Sequence, residues 1–110
     1  MSEKFAIFYV TFPGHDEADR IIKSLLDRRL IACANVFAPH RAYYNWKGRV
    51  ENEPEIAAVL KTRKSYGSII KGEITKLHPY ECPCIVCWDI EDGNAPYMAW
   101  LVQETADPQC

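Results

Sequence analysis

The side chains with the most evident chemistry follow one another at positions 78–82, where the sequence reads His-Pro-Tyr-Glu-Cys. An imidazole and a carboxylate suit borderline ions such as Cu(II) or Zn(II), and a thiolate is a further ligand for such ions. The same run also fits the end of a helix, where a cationic histidine complements the helix dipole and a proline stops the helix. Two interpretations are therefore open: a metal site formed by His78, Glu81 and Cys82, or an ordinary helix end.

A cluster of cysteines overlaps this run, because Cys82, Cys84 and Cys87 fall within six residues. On an extended strand Cys82 and Cys84 point to one face, with Cα atoms about 6.6 Å apart, and Cys87 points to the other. One mononuclear site cannot take all three thiolates, and two do not complete a tetrahedral zinc site, although they could help to bind Cu(I). The alternative is that these cysteines act as small buried hydrophobic residues.

Composition narrows the class of protein. The chain has 110 residues, 48% apolar and 25% charged, so we expect a single globular domain over residues 1–110. The net charge of −2 comes without a basic stripe, which argues against binding to nucleic acid. No apolar run reaches the roughly 18 residues of a membrane span. Five cysteines is an odd number, which argues against a disulfide framework and favours reduced thiols in the cytoplasm.

Hydrophobic periodicity indicates the elements that position these groups. Residues 5–11 are apolar on both alternating faces, as in a strand at the centre of a sheet. Asp16 is predicted to cap the helix that follows. The apolar stripe of this helix consists of Ala18, Ile21, Ile22, Leu25 and Leu26.

A long, kinked hairpin is predicted over about residues 33–62. Residues 31–36 and 41–46 are strand-like, and Pro39 between them indicates a bend or bulge. Lys47 and Gly48 form a tight turn in which the glycine can adopt a positive φ. The returning strand is predicted in two parts, 49–51 and 56–62, because Pro54 would break the pairing between them.

Two further helices and one strand complete the chain. Ser65 is predicted to cap the second helix and Pro79 to stop it. The buried face of that helix is formed by Tyr66, Ile69, Ile70, Ile74 and Leu77. Residues 84–90 form the last strand, and Asn94 caps a short third helix with Pro96 in its first turn. The stripe of this helix is Tyr97, Trp100, Leu101 and Glu104.

This order predicts an α+β fold, the ferredoxin-like βαββαβ sandwich with a long central β-hairpin and a C-terminal helix. Its antiparallel four-stranded sheet carries both main helices on one face. Because the central strand is apolar on both sides, we expect a partner subunit or a ligand to cover the other face.

Five stretches carry a resemblance to a known family. They lie at 32–36 (Ala-Cys-Ala-Asn-Val), 44–48 (Tyr-Asn-Trp-Lys-Gly), 60–62 (Leu-Lys-Thr), 78–81 (His-Pro-Tyr-Glu) and 97–100 (Tyr-Met-Ala-Trp). In this order they resemble the CutA family of divalent-cation tolerance proteins. The resemblance implies compact homotrimers that take part in tolerance of copper and other divalent metals, with no enzymatic reaction. It also implies a cleft between subunits lined by Tyr44, Trp46, Lys61, His78, Tyr80 and Glu81.

The chain departs from the family pattern at the metal ligands. Some copper-binding relatives use a cysteine in the first strand and two adjacent histidines before the Pro-Tyr pair, and the matching positions here are Val10-Thr11 and Leu77-His78. Copper or another divalent ion in the cleft would take nitrogen from His78, oxygen from Glu81 and, as a third ligand, the thiolate of Cys82. The competing hypothesis is that Lys61, Tyr80 and Glu81 neutralise one another in a structural network.

Two other classes of function share this fold. A trimeric signalling or small-molecule-binding protein like the PII proteins is the alternative, although no glycine-rich phosphate loop is visible. An acylphosphatase-like enzyme is disfavoured because the turn after the first strand holds Gly14 but no arginine. Tyr43, Tyr44 and Trp46 could stack on nucleic-acid bases. Aromatic residues near a hairpin tip are more typical of a protein interface, and we favour that interpretation.

Overall fold

A computed structural model describes residues 3–105. A 3₁₀ turn at Lys64–Tyr66 precedes the second helix. No helix in the described part of the chain is long and apolar enough to cross a membrane. The elements are β1 (Phe5–Phe12), α1 (His15–Asp27), β2 (Cys33–Val36), β3 (His40–Trp46), β4 (Arg49–Arg63), α2 (Gly67–Leu77), β5 (Ile85–Ile90) and α3 (Ala95–Glu104). Their order is the predicted one.

The strands form an antiparallel sheet in the order β2-β4-β1-β5, and β3 pairs with the first half of β4. Phe8 at the centre of β1 lies opposite Leu60 of β4 and Cys87 of β5, which makes β1 a central strand. The predicted α+β class and antiparallel sheet are confirmed, and the strand order agrees with a ferredoxin-like sandwich.

Helices α1 and α2 pack on one face of the sheet, which we call the helical face. Phe8 and Leu60 from the sheet join Ile21 of α1 and Ile70 of α2 in one hydrophobic core, and all four are fully buried. Burying such side chains contributes about 1.5–3 kcal/mol each relative to leaving them in water. This core is what holds the two main helices to the sheet.

Helix α3 packs on the opposite face, which we call the open face. The hydroxyl of Tyr97 lies 3.2 Å from the Cys33 sulfur, and Arg63 Nη2 donates to the Val102 carbonyl at 2.6 Å. Cys33 and Arg63 both alternate away from the buried Leu60, so these contacts fix the side on which α3 lies. Helix α3 covers only one end of this face and leaves Trp88 54% exposed.

The hairpin of β3 and β4 contains one bulge and one tight turn. Three residues between Val36 and His40 face only two residues between Ala58 and Glu55, so the predicted irregularity at Pro39 is a bulge. Lys47 and Gly48 both have positive φ, at 49° and 80°, as a two-residue hairpin turn requires.

The predicted break at Pro54 is wrong. β4 runs without interruption from Arg49 to Arg63, and Pro54 lies in register with Arg41. Before Ile56 this strand has a neighbour on one side only, so a proline whose nitrogen faces the unpaired side costs the sheet no hydrogen bond.

The predicted helix caps also differ from the structure. α1 begins after Gly14, with Asp16 in its first turn, and Ser65 lies in the 3₁₀ turn before α2. Asn94 is at the predicted cap position of α3, but its side chain makes no capping bond. Within α2 the predicted Ile69 is 36% exposed, because only Ile70 and Ile74 point squarely at the sheet.

Two predicted strands are shorter than expected. β2 begins at Cys33 instead of residue 31. Leu30 and Ile31 lie in the loop before it and are buried there. β5 begins at Ile85, so Cys82 and Cys84 lie in the loop before it rather than on an extended strand.

Candidate functional site

A cavity of about 610 Å³ lies among β1, the β3–β4 hairpin and the loop after α2. We call it the hairpin cavity. Its aromatic lining comes from Tyr9, Tyr43, Tyr44, Trp46 and Tyr80. Its ionisable lining comes from His40, Glu55, Glu81, Cys82 and Cys84. Strand alternation brings Tyr9 and Glu55 to the same open face, and the bulge at Pro39 sets the register in which His40 lies opposite Glu55.

Glu55 is the most deeply placed charge of the cavity, with only 7% of the residue exposed. The Tyr80 hydroxyl donates to its Oε2 at 2.9 Å, and His40 Nε2 lies 3.8 Å from its Oε1. Burial, followed by this bond to the carboxylate, raises the pKa of Tyr80 above its ordinary value. Tyr80 therefore remains a neutral hydrogen-bond donor at neutral pH.

His78 is buried beside the cavity and is held through both ring nitrogens. The backbone N–H of Tyr80 lies 3.1 Å from Nδ1, which must accept because an amide can only donate. The proton of the neutral ring is thus on Nε2, which donates to the Thr11 carbonyl at 2.7 Å. The ring also stacks on Phe12, with centroids 5.4 Å apart. His78 could bind a metal only by giving up one of these bonds.

The remaining residues of the predicted cleft divide into two places. Glu81 is exposed and forms an ion pair with Lys47 at 3.6 Å. Lys61 is at the other end of the open face, where its Nζ donates to Asn35 Oδ1 at 3.1 Å and lies over the Tyr97 ring. The network proposed among Lys61, Tyr80 and Glu81 is therefore not formed. Tyr80 is bonded to Glu55, and each of the other two has its own partner.

The cysteines lie on two faces. Cys82 and Cys84 border the hairpin cavity, while Cys87 shares the helical face with Phe8 on an edge strand. Burial first, then the charge of Glu55 and the neighbouring Cys82, raises the pKa of the Cys84 thiol. Burial and Asp89 likewise raise the pKa of Cys87. These two thiols are consequently protonated at neutral pH, which does not suit a nucleophile.

A predicted ligand set of His78, Glu81 and Cys82 is not brought together. Within residues 3–105, no group of three or more histidine, cysteine, aspartate or glutamate side chains is placed to hold a metal ion. Cys33 is a neighbour of Tyr97, and Cys110 lies outside the described residues. Burial, followed by the hydrogen bond to Cys33, raises the pKa of Tyr97 to about 12.

Sequence reasoning found one part of this site and missed another. Tyr44, Trp46, Tyr80 and Glu81 do line the cavity, whereas Lys61 and His78 do not. The missed residues are His40 and Glu55, which face each other only because of the bulge. The one available indication was a carboxylate directly before the apolar run 56–60, since a charge at the start of a buried strand needs a partner.

Comparison with known proteins agrees with this fold. A family model described as CutA1 divalent ion tolerance protein matches residues 6–104. The divalent-cation tolerance protein CutA of Pyrococcus horikoshii is 46% identical over 99 residues, which cover 90% of this chain and 96% of that protein. Its counterpart in Thermotoga maritima is 40% identical over 95 residues, covering 86% and 93%. The crystal structure of divalent ion tolerance protein CutA1 from Ehrlichia chaffeensis matches with a TM-score of 0.90 at 32% identity, covering 96% of this chain and 99% of that one. The chain belongs to the CutA family of divalent-cation tolerance proteins.

Proposed function

We propose that this protein is a non-enzymatic, homotrimeric divalent-cation tolerance protein that binds copper or another divalent metal ion in the cytoplasm. The observation that carries the proposal is the apolar surface that one chain leaves uncovered on its open face and hairpin. The exposed side chains are Phe37, Tyr43, Tyr44, Val50, Val86 and Trp88. A monomer rarely exposes so many large apolar side chains, and association of copies removes them from water.

The hairpin is the element best suited to reach a neighbouring copy. It makes the chain elongated, with principal extents of 47 × 27 × 23 Å, and it has Trp46 beside its tip. Its aromatic side chains resemble the anchors on which protein interfaces depend. The trimer as the specific assembly follows from the family resemblance of the sequence, and exposed free thiols at Cys82, Cys84 and Cys87 suit a reducing compartment.

We place the metal contact on Glu81 and Cys82, because both are exposed while His78 is engaged with Thr11 and Tyr80. A carboxylate and a thiolate are two ligands, so water molecules would complete the coordination and affinity would be modest. Binding must displace Lys47 from Glu81 and release a proton from Cys82, and the affinity of the site should therefore rise with pH.

Native mass spectrometry with and without Zn(II) tests assembly and metal binding together, and Zn(II) avoids oxidation of the thiols. We expect a wild-type trimer, and smaller species for Trp46→Glu because a charge would be desolvated at the interface. Leu26→Glu, on the outer side of α1, is the matched control and should remain trimeric. Glu81→Gln combined with Cys82→Ser should lose the Zn(II) adduct, whereas His78→Ala should keep it.

The two halves of the proposal can fail separately. A wild-type monomer at micromolar concentration contradicts the trimer, whatever the metal result. A trimer that retains no Zn(II), or a double variant that retains as much as wild type, contradicts the metal contact. Loss of Zn(II) in His78→Ala with the fold intact by circular dichroism would return that histidine to the ligand set.

One observation favours a second candidate function, that of a PII-like trimer that binds a small molecule. The hairpin cavity, at about 610 Å³, is within the size range of small-molecule sites and combines apolar walls with a few fixed polar groups.

A further inference from the structure

We propose that the hairpin cavity binds an organic ammonium ion, a compact cation whose nitrogen carries alkyl groups. This inference rests on the second candidate function, the small-molecule site, and gives it a ligand class. Every group that it uses lies on one chain, and the cavity also includes Glu81 and Cys82 of the proposed metal contact.

The charge that would attract such a cation is Glu55. Its Oε2 accepts from the Tyr80 hydroxyl, but among the described residues no hydrogen bond reaches Oε1, and His40 Nε2 lies 3.8 Å from that oxygen. In the described part of the chain every fully buried side-chain oxygen has a hydrogen-bond partner. Because Oε1 has none, this oxygen retains accessible surface, and the space beside Glu55 is the cavity. A carboxylate 93% buried with one unbonded oxygen gains from a cation that enters beside it.

Further carboxylates make the neighbourhood acidic. Glu51 and Glu53 alternate on the same face of β4 as Glu55, and Glu51 lies opposite Tyr44. Partial desolvation, followed by these three carboxylates, raises the pKa of Tyr44. Among the described residues no lysine or arginine lines the cavity; Lys47 is paired with Glu81, and Arg49 lies opposite Trp46 near the hairpin tip. The excess of negative charge favours a cationic ligand over an anion such as a nucleotide.

The walls of the cavity select the kind of cation. Tyr9, Tyr44 and Trp46 lie on the same face as Glu55 and offer aromatic rings, whose faces attract alkylammonium groups and whose apolar surface suits the attached methyl groups. A metal ion beside Glu55 is the poorer fit, because ring faces do not coordinate it. The metal contact proposed above uses the exposed Glu81 and Cys82 instead. A cavity of about 610 Å³ is also far larger than a bare ion requires.

The test is a titration of the purified protein with tetramethylammonium chloride, followed by amide chemical shifts in NMR spectra. Potassium chloride at equal ionic strength is the reference. We expect saturable shifts confined to the cavity and absent with potassium. Glu55→Gln keeps the shape and a hydrogen-bond acceptor for Tyr80 but removes the charge, and should weaken binding by at least about tenfold. Glu91→Gln, outside the cavity, should bind as wild type does.

Tyr44→Leu provides a second variant in case Glu55→Gln does not fold. Tyr44 is 40% exposed and lies on the same face as Glu55, and the loss of its ring should weaken binding by about three- to tenfold. Shifts no larger than those with potassium overturn the inference, as does equal affinity in folded Glu55→Gln and wild type. The mass-spectrometric results for trimer and metal are read separately from both of these outcomes.

Discussion

The two faces of the sheet are built from the same strands but differ in how far the chain itself buries their side chains. On the helical face Phe8, Val10 and Leu60 are all fully buried within the chain. On the open face Tyr9 and Val59 are half-buried and Trp88 is more than half exposed. Alternation along a strand puts both environments one residue apart. The chain buries the centre of the helical face by itself, whereas it leaves much of the open face exposed.

Polar groups follow the same division. Thr62 faces the helices and has its hydroxyl fully used by the Leu30 carbonyl at 2.6 Å. On the open face Glu55 lines the cavity with one oxygen bonded to Tyr80, and Lys61 contacts Asn35 and the Tyr97 ring. Polar groups that could contact a ligand or a partner therefore lie on the face whose surface the chain does not bury itself.

The largest change in the free energy of unfolding is expected for a buried residue of the helical face. Leu25 and Leu26 are neighbours on α1, one fully buried and the other 38% exposed. Leu25→Ala should lower the free energy of unfolding by about 2–5 kcal/mol because it leaves a cavity, and Leu26→Ala by less than about 1 kcal/mol. Urea denaturation at one fixed protein concentration measures both. Equal losses would show that α1 does not pack as described.

A smaller change in stability is expected for glycine-to-alanine substitutions in the β3–β4 hairpin and in α2. Gly48→Ala should destabilise by about 1–2 kcal/mol, because φ is +80° and a Cβ is strained there even though no atom lies within 4 Å. Gly72→Ala has the same open space in a helical conformation and should stabilise by roughly 0.5–1 kcal/mol. The two substitutions are chemically identical, so opposite signs in thermal unfolding report backbone conformation alone. Two changes of the same sign would contradict the turn.

The smallest change is expected in the stability of the protein at alkaline pH, and it depends on Tyr97 of α3. The pKa of Tyr97 is raised to about 12, so between its ordinary value of about 10 and 12 the folded chain keeps a proton that the unfolded chain has lost. The contribution of Tyr97 to stability is present below about pH 10 and lost as pH rises through that window. Tyr97→Phe should therefore lose less stability than wild type between about pH 9 and pH 12 in urea titrations.

The matched control for this pH effect is Tyr43→Phe, since Tyr43 is 70% exposed and distant in the fold from Cys33. It should follow the wild-type pH dependence. If Tyr97→Phe does so too, burial and the Cys33 contact do not raise the pKa of Tyr97 in solution.

Much of the fold could be predicted because its elements repeat one period over many residues. The stripe from Ala18 to Leu25 defines α1, and the turn at Lys47 and Gly48 defines the hairpin. Errors arose where one residue was judged by local preference. Pro54 was expected to break β4 because the sequence does not show that this stretch has only one neighbour. Ser65 was expected to cap a helix that begins only after a 3₁₀ turn.

The site was harder to predict because it depends on register. A one-residue bulge at Pro39 decides that His40 faces Glu55, and no local pattern encodes that pairing. His78 was interpreted from its chemical type as a possible ligand, but its two hydrogen bonds reach a strand 67 residues away and the backbone two residues on. Only the folded chain reveals whether an imidazole is free.

The uninterrupted strand β4 has a consequence for the motions of the molecule. Its residues Ala58–Lys61 have neighbours on both sides, whereas its first seven residues are paired with β3 alone. One continuous backbone therefore spans a region that opens only when the whole domain unfolds and an arm that can open by itself. Amide hydrogen exchange along this strand should slow abruptly near Ile56. A neighbouring subunit or a ligand that holds the arm would move that boundary toward Gly48, so exchange rates of β4 report occupancy of the open face.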